Sequence, residues 1–371
     1  MSGPRLNPHL LKVPLYIAGK SAEEVRRELG LEEVMKLASN ESPIGPSPMA
    51  MEAARLMLTE AHRYPGIAER NLRRKLAAHI DPALDEEQFI TGNGGTDVLH
   101  RITQAFVFDG GNTIMSRVTF PMYRISTTAF GGTPRLVEPT PEYHHDLAAM
   151  AEQIDDDTRL VYLCSPNNPV GNTIKQAEAA CFMARVPEHV VVVFDESYHD
   201  FVTDPDYADS LAYVKEGRNV LVMRSFSKSA GLANFRVGYA IGPVEITQYV
   251  RRTQLPFHTS AVALAAATAS LDDEAFCAQS REAVITGREF LYTTLCHMGL
   301  TCFPSQANFV VIVDPPLEPN ALAEALMRKG VIVRAMPAFG MPNGLRVSVG
   351  VPRENERFIT ALKQVLEEEA V

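Results

Sequence analysis

The feature that most constrains the fold of this chain is the apolar run 190–194, four valines and a phenylalanine that lead directly to Asp195. Valine favours extended backbone, and a strand that is apolar on both faces has to be covered on both sides, so a buried strand is predicted over 190–195. Shorter runs of this kind predict further strands at 88–91, 113–116, 159–164, 219–224 and 237–241. Between them, apolar residues recur at helical spacing over 96–107, 175–185 and 245–253. This alternation predicts an α/β fold around a largely parallel sheet.

Segments on either side of this core predict a second, smaller domain. Near the start, Ser21 and Glu24 have the spacing of a capping box, which indicates a short helix. Beyond residue 270, a long helical pattern and three further apolar runs occupy 273–298, Phe309–Val313, 331–334 and 345–349. We therefore expect a large domain over 36–270, and a smaller α/β domain that combines an N-terminal arm, 1–35, with the C-terminal region 271–371.

Charge and hydropathy exclude several classes of function. The 371 residues carry 45 acidic and 35 basic side chains, a net charge of −10, so nucleic acid or an anionic membrane would be repelled overall. The apolar stretch 260–271 is too short to span a bilayer, and the first residues lack the apolar core of a secretion signal. Five cysteines without a Cys-x-x-Cys pair indicate reduced thiols. We expect a cytoplasmic protein that binds neither nucleic acid nor membrane.

Three familiar ligand motifs are incomplete. The Gly-Lys-Ser sequence at 19–21 needs a glycine five residues earlier, where Pro14 stands, so it is not a phosphate-binding P-loop. The glycines of 92–94 begin a dinucleotide fingerprint whose last glycine is replaced by Asp97, which argues against a nicotinamide cofactor. No His-Glu-x-x-His occurs, and the adjacent histidines at 144–145 are interpreted as solvated turn residues. We expect no bound metal.

Four groups of polar residues remain, each at or near the end of a predicted strand, where an open α/β sheet binds its ligand. They are Asp195 with Tyr198, Ser225-Phe226-Ser227-Lys228 with Arg236, the turn 165–171, and the glycine-rich stretch 92–97 before a helix. Together they match the needs of pyridoxal phosphate: a lysine amine, an acid for the pyridine nitrogen, donors for the phenolic oxygen, and an anion site for the phosphate. A helix start preceded by glycines meets the last need, because its free N–H groups attract phosphate.

The same residues lie in motifs that resemble those of the fold-type-I pyridoxal-phosphate enzymes, and within them the class II, histidinol-phosphate aminotransferase family. The resemblance is carried by Ser227-Lys228 with Gly231-Leu232 and Arg236, by Asp195-Glu196-Ser197-Tyr198, by the turn 165–171, and by the segments 37–48, 63–65 and 345–350. It extends from about residue 16 to residue 350. It implies a large domain with a mostly parallel, seven-stranded sheet, a smaller α/β C-terminal domain, and an aminotransferase activity.

The resemblance also implies roles around the cofactor. Lys228 is the expected covalent anchor and moves a proton at the substrate α-carbon, and Asp195 faces the pyridine nitrogen. Tyr198 and Asn168 are expected to bond the phenolic oxygen. The other expected cofactor-binding residues hold the phosphate or stack on the ring: Gly95, Thr96, Asp97, Phe120, Ser225, Ser227, Arg236 and Tyr64. Because Tyr64 would reach the phosphate bound by a second subunit, the resemblance implies a homodimer with shared active sites.

Substrate binding is expected from a second set of residues, which comprises Tyr16, Asn40, Asn168, Arg334 and Arg346. Two arginines suit a substrate that carries a phosphate, and also the glutamate and 2-oxoglutarate that must use the same site. The reaction that the resemblance implies is transfer of the amino group of L-histidinol phosphate to 2-oxoglutarate. Its products are imidazole-acetol phosphate and L-glutamate, and the substrates are therefore a small-molecule amino donor and a 2-oxo acid.

Three alternative functions stay open at the level of sequence. An aromatic or broad-range amino-acid aminotransferase would use the same scaffold and bind a substrate carboxylate at Arg346. A pyridoxal-phosphate-dependent decarboxylase of a phosphorylated amino acid would share most of the motifs. A regulator that only senses an effector would carry an added DNA-binding domain, for which the segment 1–35 and the negative net charge give little support.

Overall fold

The computed structural model describes residues 6–15 and 19–369 of the chain. These residues form thirteen β-strands: β1 (Met35–Lys36), β2 (Phe89–Gly92), β3 (Asn112–Ser116), β4 (Thr133–Val137), β5 (Thr158–Cys164), β6 (Val191–Asp195), β7 (Val220–Ser225), β8 (Gly238–Ile241), β9 (Thr301–Cys302), β10 (Phe309–Val313), β11 (Val331–Ile332), β12 (Arg334–Ala335) and β13 (Gly344–Ser348). They also form thirteen α-helices: α1 (Ala22–Leu29), α2 (Pro48–Met57), α3 (Ala68–Ile80), α4 (Gly95–Phe106), α5 (Met122–Ala129), α6 (Leu147–Glu152), α7 (Gln176–Met183), α8 (Ser210–Lys215), α9 (Val244–Arg251), α10 (Ala261–Ser270), α11 (Glu274–His297), α12 (Pro319–Arg328) and α13 (Pro352–Glu369).

Seven strands form one large sheet in the order β2-β8-β7-β6-β5-β3-β4. The five strands from β7 to β4 are parallel to one another, whereas β8 runs antiparallel to both β7 and β2. The expected fold class, a mostly parallel seven-stranded sheet with a smaller α/β unit, is confirmed. Strand β4 was missed in the sequence, because this edge strand is only partly buried and begins Thr-Pro-Arg, without a continuous apolar run.

The central strand β6 explains why its sequence is apolar throughout. Val192 and Phe194 belong to a core with side chains of α2, α3, α7, α8 and α10. Val191 and Val193 point to the opposite face and belong to a second core with α4, α5 and α9. Because successive strand residues alternate between the faces, a strand covered by helices on both sides needs apolar residues at every position.

The smaller unit is built around an antiparallel sheet, β12-β13-β10-β9, and the two-stranded parallel pair of β1 with β11. Its core joins Val310 and Ile312 of β10 to leucines of α11, α12 and α13. Met35 and Leu37 pack into this core as well, so the N-terminal segment and the C-terminal region share it. The division at residues 36 and 270 stays a prediction.

Two observations complete the description of the helices. The predicted capping box at α1 is present, since the Ser21 hydroxyl accepts from the N–H of Glu24 at 3.1 Å and the Glu24 carboxylate accepts from the N–H of Ser21 at 3.4 Å. Among residues 6–15 and 19–369, none of the helices combines the length and the apolar character that a bilayer-spanning segment requires.

Candidate active site

Asp195 ends β6, the middle strand of the large sheet, and its carboxylate is buried with two donors. The Tyr123 hydroxyl donates to Oδ2 at 2.6 Å, and the N–H of Ser197 donates to Oδ1 at 3.1 Å. Burial raises the pKa of Asp195, while both hydrogen bonds favour its ionised form. Its register partners are Cys164 in β5 and Met223 in β7, so the acid lies at the carboxyl edge of three parallel strands.

The loop after β7 carries Lys228 towards the N-terminal segment. Its amine donates to the backbone carbonyl of Asn40 at 3.0 Å and lies 5.4 Å from the centre of the Tyr198 ring. Burial, together with the positive charge of Arg346, lowers the pKa of Lys228 to about 8. A lysine with this pKa is partly neutral near physiological pH, which a nucleophilic amine requires.

A buried polar network surrounds the hydroxyl of Tyr198. This oxygen accepts from Nδ2 of Asn40 at 3.0 Å and from Nδ2 of Asn168 at 3.4 Å. Arg346 donates to Oδ1 of Asn168, and also to the carbonyl of Ala38 at 3.0 Å. Burial raises the pKa of Tyr198 to about 12, so the phenol keeps its proton. Among the described residues this oxygen only accepts hydrogen bonds, so its own O–H can donate to a ligand.

Helix α4 begins in a tight glycine loop beside a guanidinium group. Gly94 has a φ of 81°, a left-handed conformation that favours glycine, and a Cβ here would collide with Arg236. Within the described residues, the N–H groups of Gly95 and Thr96 donate to no protein acceptor. The N–H of Asp97 already donates to the Gly94 carbonyl at 3.1 Å, so its expected share in phosphate binding stays a prediction. Free N–H groups at a helix start, next to an arginine, suit an anion.

Two of the predicted serines lie beside this helix start. Ser225 ends β7, and its hydroxyl accepts from the N–H of Ser227 at 3.1 Å. The register partner of Ser225 in β8 is Gly238, where a Cβ would collide with the backbone nitrogen of Gly95. Strands β7 and β8 therefore contact the start of α4 closely, which brings both serines next to the predicted phosphate position.

The carboxylate of Asp97 stabilises the glycine loop through hydrogen bonds. It accepts from the N–H of Asn93 at 2.9 Å and lies 2.6 Å from Nε2 of His258. The backbone carbonyl of His258 in turn accepts from Nδ2 of Asn93 at 3.1 Å. His258 was missed in the sequence, because no local motif connects two residues that are 161 positions apart.

Phe120, the expected stacking residue, is partly buried and lies two residues before the start of α5. Its ring meets that of Tyr123 edge-on, with centroids 5.7 Å apart and planes at 82°. Sequence reasoning missed Tyr123 as the partner of Asp195. No local motif connects Tyr123 to an acid that lies 72 positions further along the chain.

The remaining predicted residues differ in how far the structure connects them to this site. Arg334 in β12 is the register partner of Arg346 in β13, so the two guanidinium groups lie on neighbouring strands. Tyr16 lies outside the described residues. Tyr64 is 78% exposed and stacks on Phe257, with ring centroids 4.5 Å apart. Its contact with a second subunit stays a prediction.

One prediction about the histidines was wrong. His145 is not a solvated turn residue, since its Nε2 lies 2.8 Å from the carbonyl oxygen of Cys164 and its Nδ1 is buried with no partner in residues 6–15 and 19–369. Burial lowers the pKa of His145 to about 4, so the ring stays neutral. The turn that carries it folds over the end of β5, which no local sequence pattern indicates.

These groups fit pyridoxal phosphate. An amine of lowered pKa and a buried carboxylate at the ends of neighbouring strands can flank one small ring, and Tyr198 has a free O–H for an oxygen on that ring. The glycine loop at the start of α4 has no room for a Cβ at Gly94, and within the described residues the N–H groups of Gly95 and Thr96 have no protein acceptor. Nε of Arg346 is buried and has no acceptor within the part of the chain that the structure describes, which leaves a cationic donor for a substrate anion.

Comparisons with known proteins agree with this chemistry. Residues 32–362 match the family model described as aminotransferase class I and II. The histidinol-phosphate aminotransferase of Geobacillus sp. (strain WCH70) is 41% identical over 363 residues, which cover 98% of each chain. That of Bacillus subtilis (strain 168) is 38% identical over 362 residues, 98% of this chain and all of the relative. The crystal structure of the Sinorhizobium meliloti histidinol-phosphate aminotransferase in complex with pyridoxal-5'-phosphate has a TM-score of 0.89 at 24% identity and covers 99% of both chains, which supports the fold.

The chain belongs to the class I and II aminotransferases. Its reaction is therefore the transfer of an amino group from an amino donor to a 2-oxo acid, with pyridoxal phosphate as the cofactor. The enzyme class and the cofactor expected from the sequence are confirmed. The names of the relatives that match over 98% of this chain argue against the decarboxylase and against the effector-sensing regulator.

Proposed function

We propose that this aminotransferase transfers the amino group of L-histidinol phosphate to 2-oxoglutarate and so forms imidazole-acetol phosphate and L-glutamate in histidine biosynthesis. The observation that carries the proposal is the pair Arg334 and Arg346, which are register partners on adjacent strands. Two neighbouring guanidinium groups suit a phosphate dianion better than a single carboxylate. The name of relatives at 41% identity over 98% of the chain supports the same substrate.

The electrostatics of this pair favour an anionic substrate. Burial and the nearby charge of Arg334 lower the pKa of Arg346 to about 10, so the two cations destabilise one another when no anion is bound. Arg346 also lies between two aromatic rings, 5.1 Å from the centre of Phe309 and 5.3 Å from that of Phe339. Its side chain is thereby held in one place, and an anion bound there would relieve the repulsion.

We propose the following roles at the reacting centre. Pyridoxal phosphate, when bound, supplies a ring that accepts electrons from the substrate α-carbon. Lys228 anchors the cofactor and afterwards removes and returns the proton at the substrate α-carbon. Asp195 holds a proton on the pyridine nitrogen, and Tyr198 donates to the phenolic oxygen. Asn168 links this group to the arginine side of the site through its contact with Arg346.

We also propose that the enzyme is a homodimer with shared active sites. Two sets of large apolar side chains are exposed, and a second copy of the chain would cover them: Leu6, Leu10, Leu11 and Leu15 near the N-terminus, and Tyr64, Ile67, Leu255 and Phe257 around the stacked ring pair. Exposed apolar residues in such numbers are typical of an interface. Tyr64 would then reach the phosphate held by the other subunit.

Three further expectations accompany this proposal. The division into a large domain, 36–270, and a smaller domain of 1–35 with 271–371 is supported by the separate core of the smaller unit. A cytoplasmic location agrees with the free thiols of all five cysteines. A net charge of −10 supports an enzyme without nucleic-acid or membrane partners.

A substrate panel tests the proposal directly. The cofactor-loaded enzyme is assayed with L-histidinol phosphate, phenylalanine and tyrosine as amino donors and 2-oxoglutarate as acceptor. We expect kcat/KM for histidinol phosphate to exceed both others by at least about tenfold, the effect of one charged hydrogen bond. Equal or higher values for phenylalanine and tyrosine would instead identify an aromatic or broad-range aminotransferase.

A further inference from the structure

The hydroxyl of Tyr123 donates a hydrogen bond to one carboxylate oxygen of Asp195. Tyr123 lies in none of the sequence motifs described above. Tyr123 is 1% exposed, and its O–H donates to Oδ2 at 2.6 Å. The N–H of Ser197 holds Oδ1 at 3.1 Å. Both oxygens of the acid therefore have a donor from the protein itself, and the carboxylate is oriented from two sides.

Tyr123 is itself held firmly. Its ring stacks on that of Tyr162, with centroids 4.6 Å apart and planes at 5°. The Tyr162 hydroxyl bonds Oγ1 of Thr103 in α4 at 2.7 Å. The backbone carbonyl of Tyr123 accepts from Oγ1 of Thr127 at 2.8 Å. The position of the Tyr123 hydroxyl is thus set by helices α4 and α5 and by β5, independently of the acid.

We propose that Tyr123 is a positioning residue that keeps the proton shared by Asp195 and the cofactor's pyridine nitrogen on the nitrogen. The proposal rests on the role given above to Asp195. A donor on Oδ2 stabilises the ionised carboxylate and makes it a weaker base. When one proton is shared between a carboxylate and a ring nitrogen, the weaker carboxylate base leaves that proton on the nitrogen.

The surroundings of Asp195 make this donor necessary. Burial raises the pKa of Asp195 and so opposes ionisation. Burial also raises the pKa of Tyr123, which therefore stays protonated and donates to the carboxylate. The titratable groups that act on Asp195 are Tyr123 in α5, Cys164 in β5, Glu196 and Tyr198 in the loop after β6, and Lys228 in the loop after β7. Within this set, the hydrogen bond to the carboxylate comes from Tyr123.

The test compares Tyr123→Phe with Tyr162→Phe. Both variants remove a buried hydroxyl from the same ring stack, but that of Tyr162 bonds Thr103 and not Asp195. The measurements are the dissociation constant for pyridoxal phosphate and the ¹⁵N resonance of cofactor labelled at the pyridine nitrogen. We expect Tyr123→Phe to weaken binding about tenfold and to move the resonance towards neutral pyridine. Tyr162→Phe should leave the resonance at its wild-type position.

An unchanged resonance in Tyr123→Phe, or equal changes in both variants, would overturn the proposal. If Tyr123→Phe does not fold, 3-fluorotyrosine at position 123 replaces it, because this residue keeps the ring and the hydroxyl and is a stronger donor. The resonance should then move towards the protonated pyridine, and a shift in the other direction or none contradicts the role. Neither measurement involves an amino donor, so a wrong substrate and a wrong role for Tyr123 give different results.

Discussion

The cofactor side and the substrate side of this site are assembled differently. On the cofactor side, Asp195 ends β6 and Lys228 follows β7, and because these strands are adjacent and parallel, sheet register brings both residues to one edge of the sheet. On the substrate side, Asn40 and Ser348 exchange hydrogen bonds of 2.8 and 2.9 Å across 308 residues of sequence. The proposed cofactor-side residues therefore lie in short motifs at strand ends, whereas the proposed substrate-side residues are brought together by contacts between distant segments.

The largest effect is expected on the cofactor side, from Lys228→Ala. Loss of the anchor and of the group that moves the α-proton should lower kcat by about 10⁴-fold, the upper end for acid–base catalysis. Borohydride treatment of the loaded variant should leave no cofactor attached to the protein. Lys215→Ala, which removes a surface lysine paired with Asp81, is the matched control. Retention of a borohydride-reducible absorbance band in Lys228→Ala would refute the assignment.

Asp195→Ala should come second and should separate catalysis from binding. Without the acid, the pyridine nitrogen loses its proton, so kcat should fall by about 10² to 10³-fold while the dissociation constant for the cofactor rises far less. Turnover and cofactor titration on the same preparation measure both quantities. Asp272→Ala removes an exposed carboxylate paired with Lys75 and serves as the control. A loss confined to cofactor binding would contradict the proposed role.

On the substrate side, Arg334→Gln should have a smaller and more selective effect. The variant keeps a hydrogen-bonding side chain in β12 but loses the charge, so KM for histidinol phosphate should rise by about tenfold or more. KM for 2-oxoglutarate should change less, because Arg346 stays in place. Initial rates with each substrate varied in turn give both values. A larger increase in KM for 2-oxoglutarate than for histidinol phosphate would show that Arg334, and not Arg346, is the main contact for the 2-oxo acid.

The smallest effect is expected from the charge of Arg346, a substrate-side residue that acts on the pKa of Lys228 on the cofactor side. The pKa of Lys228 is lowered to about 8, so the rate of covalent cofactor attachment to the apoprotein should rise with pH and reach half its maximum near pH 8. A nearby cation disfavours the protonated amine, so Arg346→Met should raise this pKa and slow attachment at pH 7 by several-fold. Stopped-flow absorbance against pH measures the rate. An unshifted profile in Arg346→Met would show that burial alone lowers the pKa.

The cofactor side could be predicted from the sequence because its signals are local. The apolar run before Asp195 identifies a strand covered on both faces, and the residues after it must then lie at the sheet edge. The same reasoning failed for β4, a partly buried edge strand that needs fewer apolar residues. Tyr123 and His258 were missed because their partners are distant in the sequence. Tyr123 contacts Asp195, 72 positions away, and His258 contacts Asp97, 161 positions away.

By itself, the sequence determined the class of fold and predicted which residues are the acid and the amine, since these follow from apolar periodicity and from residue types at strand ends. Only the tertiary structure decided that Tyr123 donates to Asp195 and that Arg346 lies beside both Arg334 and Asn168. The reason is that burial and hydrogen-bond partners across distant segments are properties of the packed chain, and no local pattern of residues carries them.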